Sequence, residues 1–193
     1  LEAAVHEFSR VPYSSASINQ IIKEADISRG SFYTYFEDKD DLLRYMLRGV
    51  REQFRERAMA LLDEMGSPFA VCIQMLREWM EKGTDQIIYK IHQNLLADIS
   101  VANQNQIFGL RGFMMKEEPY RAFIKEMYDR MDRERYPMSF ETLMCGMDVA
   151  AMVCVKSMSL YCRKPQEMNS ILAATEMEMR ILEKGVCGMQ AAK

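Results

Sequence analysis

Apolar residues recur every three or four positions along almost the whole chain, and period-two alternation bounded by turn residues is hard to find. Only helices bury such a pattern on one face, so the sequence predicts an all-α fold. Helix starts and stops are well marked. Ser17 followed by Gln20 has the form of a capping box, Asp38 precedes an acidic first turn, and Ser67-Pro68 sets an N-cap before a first-turn proline. Pro137 and Pro165 bracket a long helix, and Gly185 and Gly188 close the last one. Helices are therefore expected near 1–10, 17–24, 28–35, 38–64, 67–82, 84–98, 118–134, 139–162 and 166–185, with no element assigned between 101 and 116.

The first forty-odd residues hold short helices with tight connections, and everything after them is built from longer, more apolar ones. That shift predicts two domains, residues 1–47 and residues 48–193. The stripe Leu43, Leu47, Val50, Phe54, Ala58, Leu61 and Met65 along the long fourth helix is expected to pack against both. A length of 193 residues suits a small domain joined to a larger one. The net charge of -3 does not advertise nucleic acid, so any surface for it must be local. The five cysteines are odd in number and widely spaced, which predicts free thiols in a reducing cytoplasm. Cys145, Cys154 and Cys162 do not share one helix face, so no metal site is expected. The longest apolar run, Val149 to Val155, stops at Lys156, short of a membrane span. With two histidines, no glycine-rich phosphate loop and no metal-ligand spacing, no catalytic site or cofactor is predicted, and the chain reads as a binding protein and not an enzyme.

Ser17 to Phe36 reads as helix, turn, helix. Ser28, Arg29, Gly30 and Ser31 open the second helix with residues that are small or able to reach base edges and phosphates, as the leading end of a recognition helix requires. Phe32 and Phe36 lie on one face, where they can fill a small core with Ile18, Ile21 and Ile22. Tyr33 and Tyr35 point elsewhere, with hydroxyls suited to phosphate oxygens.

The run SINQIIKEADISRGSFYTYFEDKDDLL resembles the helix-turn-helix and following helix start of the TetR family of transcriptional regulators. The serine before Gly30, Tyr33, the Tyr35-Phe36 pair and Lys39 stand where that family's motif has them. Three positions depart from it: Pro12 and Asp26 where glycines are usual, and Ile22 where alanine is. Asp tolerates the left-handed backbone that the turn needs. The chain begins at Leu1, within what the resemblance makes the first helix.

The resemblance implies contact with double-stranded operator DNA through Ser17, Ser28, Arg29, Gly30, Ser31, Tyr33, Thr34, Tyr35 and Lys39. It also implies a cytoplasmic homodimer and a small-molecule effector bound among the later helices, with release from the operator as the response of a repressor. Residues suited to such a pocket by type and helix position are Met75, Trp79, Tyr89, His92, Phe108, Phe113, Tyr128, Met147 and Met158. The 18 methionines are more simply read as core than as pocket, one by one. For the dimer, Met168, Leu172, Thr175, Met179, Leu182 and Val186 form a stripe in the helix near 166–185. Gly146, Ala150 and Ala151 in the helix near 139–162 would let a partner backbone approach. A helical small-molecule carrier or interaction protein, in which the helix-turn-helix only packs, is the rival reading.

Overall fold

The computed structural model describes residues 1–46, 48–82, 90–91, 93–94 and 118–188, and among them every regular element is helical. In chain order these are α1 (Glu2–Arg10), a 3-10 turn (Tyr13–Ser15), α2 (Ile18–Glu24), α3 (Arg29–Tyr35), α4 (Lys39–Met46), α5 (Arg48–Met65), α6 (Pro68–Glu81), α7 (Glu118–Arg130), α8 (Phe140–Arg163) and α9 (Met168–Gly188). A second 3-10 turn, Pro165–Glu167, leads into α9. The helix expected near 84–98 and the segment 101–116 fall largely outside the described residues.

Two compact units divide within α5: Leu1–Gln53 with the described part of Lys82–Arg111, and Phe54–Glu81 with the described part of Gly112–Lys193. The second stretch of unit one was not anticipated from the sequence. Its Ile91 is buried in unit one's core, and Asn94 donates an amide N–H to the Phe8 carbonyl at 3.0 Å. Of the stripe expected along residues 43–65, Leu43, Ala58 and Leu61 are buried, whereas Phe54 is exposed, with its ring tilted against that of Phe123 at 6.3 Å.

Unit one is a small helical cluster around Ala4, Phe8, Tyr13, Ile21, Phe32, Leu42 and Leu43. Its polar ties are local. Glu7, almost fully buried, accepts from the Ser17 backbone N–H at 3.0 Å and from Arg10 at 2.5 Å. Burial works against its charge, but the Ser17 and Arg10 bonds outweigh that, and its carboxyl is held below the usual value. The start of α2 is thereby served by Glu7. The Ser17 side chain makes no cap, so the capping box read from Ser17 and Gln20 is not formed.

Unit two packs α6, α8 and α9 against one another, with α7 on α8. Its core includes Leu62, Phe69, Ile124, Met127, Leu143, Met144, Ala150 and Met179. Gly146 is there because a Cβ would sit 3.0 Å from Phe69 and 3.2 Å from Val186. Gly146 and Ala150 thus admit neighbours from their own unit, not a partner backbone. The stripe assigned to the dimer is corrected in the same way: Leu172, Thr175, Met179 and Val186 are buried in this core. Thr175 also shares a 2.7 Å hydrogen bond with Ser157 of α8. The apolar residues left outside are Val149, Met152 and Leu160 on α8 and Met177 and Ile181 on α9. Helix α8 has the length and mean hydropathy (1.5) of a membrane span. Its buried face of Leu143, Met144, Met147 and Ala150 gives it the work of a core helix, which selects the same composition.

Candidate nucleic-acid interface and the interior of unit two

Helices α2 and α3 are joined by the turn Ala25–Ile27. Asp26 takes φ 51° there, which answers the glycine expected at this place. The Ile27 N–H reaches the Ile22 carbonyl at 3.2 Å, closing the turn. Helix α3 begins at Ser28, whose Oγ accepts from the Ser31 N–H at 3.0 Å and lies 2.8 Å from the Ser31 hydroxyl. Phe32 turns inward, 3% exposed, with the Phe36 ring tilted against it at 5.6 Å, in the same apolar cluster as Ile18, Ile21 and Ile22. The helix is therefore anchored by one ring.

Ser28, Arg29, Gly30, Ser31, Tyr33, Thr34 and Tyr35 are all exposed, with Tyr35 at 79%. Arg29 lies over the Tyr33 ring at 5.6 Å, and Thr34 donates to the Gly30 carbonyl at 3.0 Å. A Cβ on Gly30 would meet nothing nearer than Ser28 Oγ at 3.8 Å, so packing gives no reason for glycine there. Ser17 is half-buried at the start of α2.

Lys39 is placed differently from a free surface charge. Its Nζ donates to the carbonyls of Tyr13 (2.7 Å) and Ala16 (3.0 Å) and sits 4.4 Å from the centre of the Tyr13 ring. Tyr13 in turn donates to Asp40, and its burial, together with that carboxylate, pushes the phenol pKa far up. Lys39 and Asp40 thus tie α4 to the 3-10 turn, and an ammonium with three N–H groups has one left for anything else. The sequence reading missed this tie because Tyr13 and Lys39 are far apart along the chain.

The family described as bacterial regulatory proteins, tetR family, matches residues 1–46. Residues 1–46 belong to the TetR family. Similar proteins include the HTH-type transcriptional regulator HbdR of Aromatoleum sp. (strain CIB), 34% identical over 68 residues, covering 35% of this chain and 30% of HbdR. An uncharacterized HTH-type transcriptional regulator of Bacillus subtilis (strain 168), YuxN, is 35% identical over 68 residues, or 35% of this chain and 23% of YuxN. The HTH-type transcriptional regulator AcrR of Shigella flexneri is 25% identical over 134 residues, 69% of this chain and 59% of AcrR. The chain thus spans less than two thirds of the length of these relatives.

Beyond the TetR-family segment, the predicted effector residues scatter. Tyr89, His92, Phe108 and Phe113 lie outside the described residues. Met147 is buried in the core, with Met75 half-buried against the same cluster. Tyr128 donates to the Met138 carbonyl at 3.3 Å and meets Phe140 edge-on at 5.7 Å. Trp79 is half-buried and edge-on to Tyr161 at 5.9 Å. Met158 is half-buried on α8. A cleft of about 280 Å³ opens between α6 and α9, lined by Phe69, Ile73, Arg77, Glu176 and Met179 among others, and it includes none of these. The 2.6 Å Arg77–Glu176 ion pair spans it.

A polar group in the interior went unread. Asp148 is half-buried as a residue, but both of its carboxylate oxygens are sealed from solvent and have no hydrogen-bond partner among the described residues, and the same is true of the Tyr120 hydroxyl. Burial raises the pKa of Asp148. It raises that of Tyr120 as well, and the Asp148 carboxylate adds to the effect. Cys72 on α6 hydrogen-bonds Cys154 on α8, and that bond and burial keep the Cys72 thiol protonated. In sequence, Asp148 lies between Met147 and Val149, and one acid in an apolar helix reads as a surface position, so no signal pointed inward.

Proposed function

We propose that the chain is a ligand-responsive transcriptional repressor that binds operator DNA as a homodimer through the leading end of α3. One observation carries the reading. Helix α3 is held by Phe32 from below and leaves Ser28, Arg29, Gly30, Ser31, Tyr33, Thr34 and Tyr35 uncovered. A helix kept only for packing has no use for this concentration of donors at its start. The space left open at Gly30 suits a sugar–phosphate backbone approaching closely. Arg29 would read a base edge, Tyr33 and Tyr35 would hold phosphates, and Ser17 and the remaining Lys39 donor would do so at the flank.

Two subunits would place their α3 helices in successive major grooves, about 34 to 36 Å apart or a multiple of that. The exposed residues Val149, Met152, Leu160, Met177 and Ile181 supply an apolar face on α8 and α9 for the partner's equivalent helices, as an isologous four-helix contact requires. An effector bound inside unit two would favour a spacing of the two α3 helices that no longer fits, and a coupling of about 1 to 3 kcal/mol suffices for such a switch.

Selection of bound sequences from random DNA tests this. A two-fold symmetric site with half-sites one or two helical turns apart is expected. Enrichment of no sequence would overturn the reading and favour a helical carrier.

A further inference from the structure

We infer that Asp148 and Tyr120 form the polar end of an effector site that takes a hydrophobic amine in its protonated form. The inference rests on the ligand-responsive reading and gives that ligand a chemical class. A carboxylate sealed from water without a donor is among the costliest groups a core can hold, because each lone pair gives up a water and receives nothing. Here both oxygens of Asp148 are in that state, and the Tyr120 hydroxyl shares it, on α7 and α8, two helices that pack together. Native interiors leave few such groups, and two of them on helices that pack together are not accounted for by hydrogen bonds among the described residues.

What would satisfy them is specified by their chemistry. Two carboxylate oxygens accept from several donors at once and ask for a compensating positive charge. A neutral alcohol offers one donor and no charge, and a carboxylate would repel. A primary ammonium supplies three N–H donors with the charge, and it can turn toward the electron-rich face of Tyr120. The surroundings require the rest of the molecule to be apolar: Tyr120 is packed against the unit's core cluster with Cys72, Met75 and Cys154.

The probe set is 4-phenylbutylamine, 4-phenylbutanol and 4-phenylbutyrate, which share one skeleton and differ at the head. Binding to the full chain is followed by Trp79 emission and by thermal shift. The amine is expected to bind about 10- to 100-fold more tightly than the alcohol, the range of a charge-assisted hydrogen bond, and the acid not at all. Asp148→Asn should erase that preference, with the unfolding midpoint of the unliganded protein equal or higher, since an unpaired buried charge has been removed. Tyr120→Phe should reduce the preference severalfold with the fold intact. Equal binding of amine and alcohol to the wild type would overturn the inference, as expected if water or a proton on Asp148 satisfies the carboxylate. A lower midpoint or failure to fold in Asp148→Asn would also overturn it, because the carboxylate would then have a structural partner. An amine that binds but leaves operator affinity unchanged would leave the site standing and sink the repressor switch.

Discussion

The polar groups of α3 and those around Asp148 are handled in opposite ways. On α3 each polar side chain is either in a short local bond, as Ser28 with Ser31 and Thr34 with the Gly30 carbonyl, or open to solvent. In unit two, Ser157, Thr175 and Tyr161 are buried and bonded, while Asp148 and Tyr120 are buried and bare. A surface kept for a polymer of phosphates can leave its donors wet until the partner arrives. An interior site for a small molecule cannot, and it shows itself as unsatisfied atoms instead.

The sharpest way to break this contrast uses two positions on α9. Leu172→Glu puts a charge into a core position only 2% exposed, which costs on the order of 3 to 5 kcal/mol and should abolish cooperative unfolding of unit two in a melting experiment. Ile181→Glu, on the exposed face, should keep its helical circular dichroism, sediment as a monomer, and lose about 10²- to 10⁴-fold in operator affinity as two-headed binding is lost. An Ile181→Glu protein that remains dimeric would remove the outer face of α9 from the interface. Next in size, Phe32→Ala takes away the ring that anchors α3 and should destabilise unit one by about 3 to 5 kcal/mol in denaturant titration.

The ends of helices were legible because they are written in local chemistry. Asp38 and Ser67 open α4 and α6 as read, each accepting from the backbone N–H three residues on. The assignment of Phe32 to the small core was likewise visible from its spacing. Which side of α8 or α9 faces inward was not, because both helices carry apolar residues on more than one face and periodicity alone does not rank the faces. The stripe with the regular spacing, Leu172 to Val186, went to the core, and the less regular Met177 and Ile181 were left outside. Ties across long stretches of chain, such as Lys39 to Tyr13 and Ala16, leave no periodic trace. The same holds for Asp148, whose sealing depends on the helices packed against α8.

Two smaller effects sharpen the comparison on the α3 side. Gly30→Ala should raise stability by about 0.5 to 1 kcal/mol, since the structure has room for the methyl, and yet weaken operator binding in a gel-shift titration. Stability gained with no loss of binding would mean the open space at Gly30 serves nothing. The pH dependence is smaller still. Glu7 has a carboxyl pKa lowered from 4.5, so its contribution is complete above that value and is lost as pH falls through the lowered one. The stability gap between wild type and Glu7→Gln, measured by chemical denaturation, should shrink on acidification below pH 4.5 and stay constant from there to neutrality.

The turn before α3 also sets how this segment can drift. What Asp26 supplies is a backbone angle, φ 51°, and only Gly, Asn and Asp reach that angle without much strain. Its neighbour Ile27 is 42% exposed in ordinary backbone and has no such restriction. Two adjacent positions in one turn are therefore restricted unequally, one to a three-letter alphabet and the other hardly at all. A comparison that scored position 26 by residue identity alone would count an aspartate as a lost glycine, although the chain bends there by the same route.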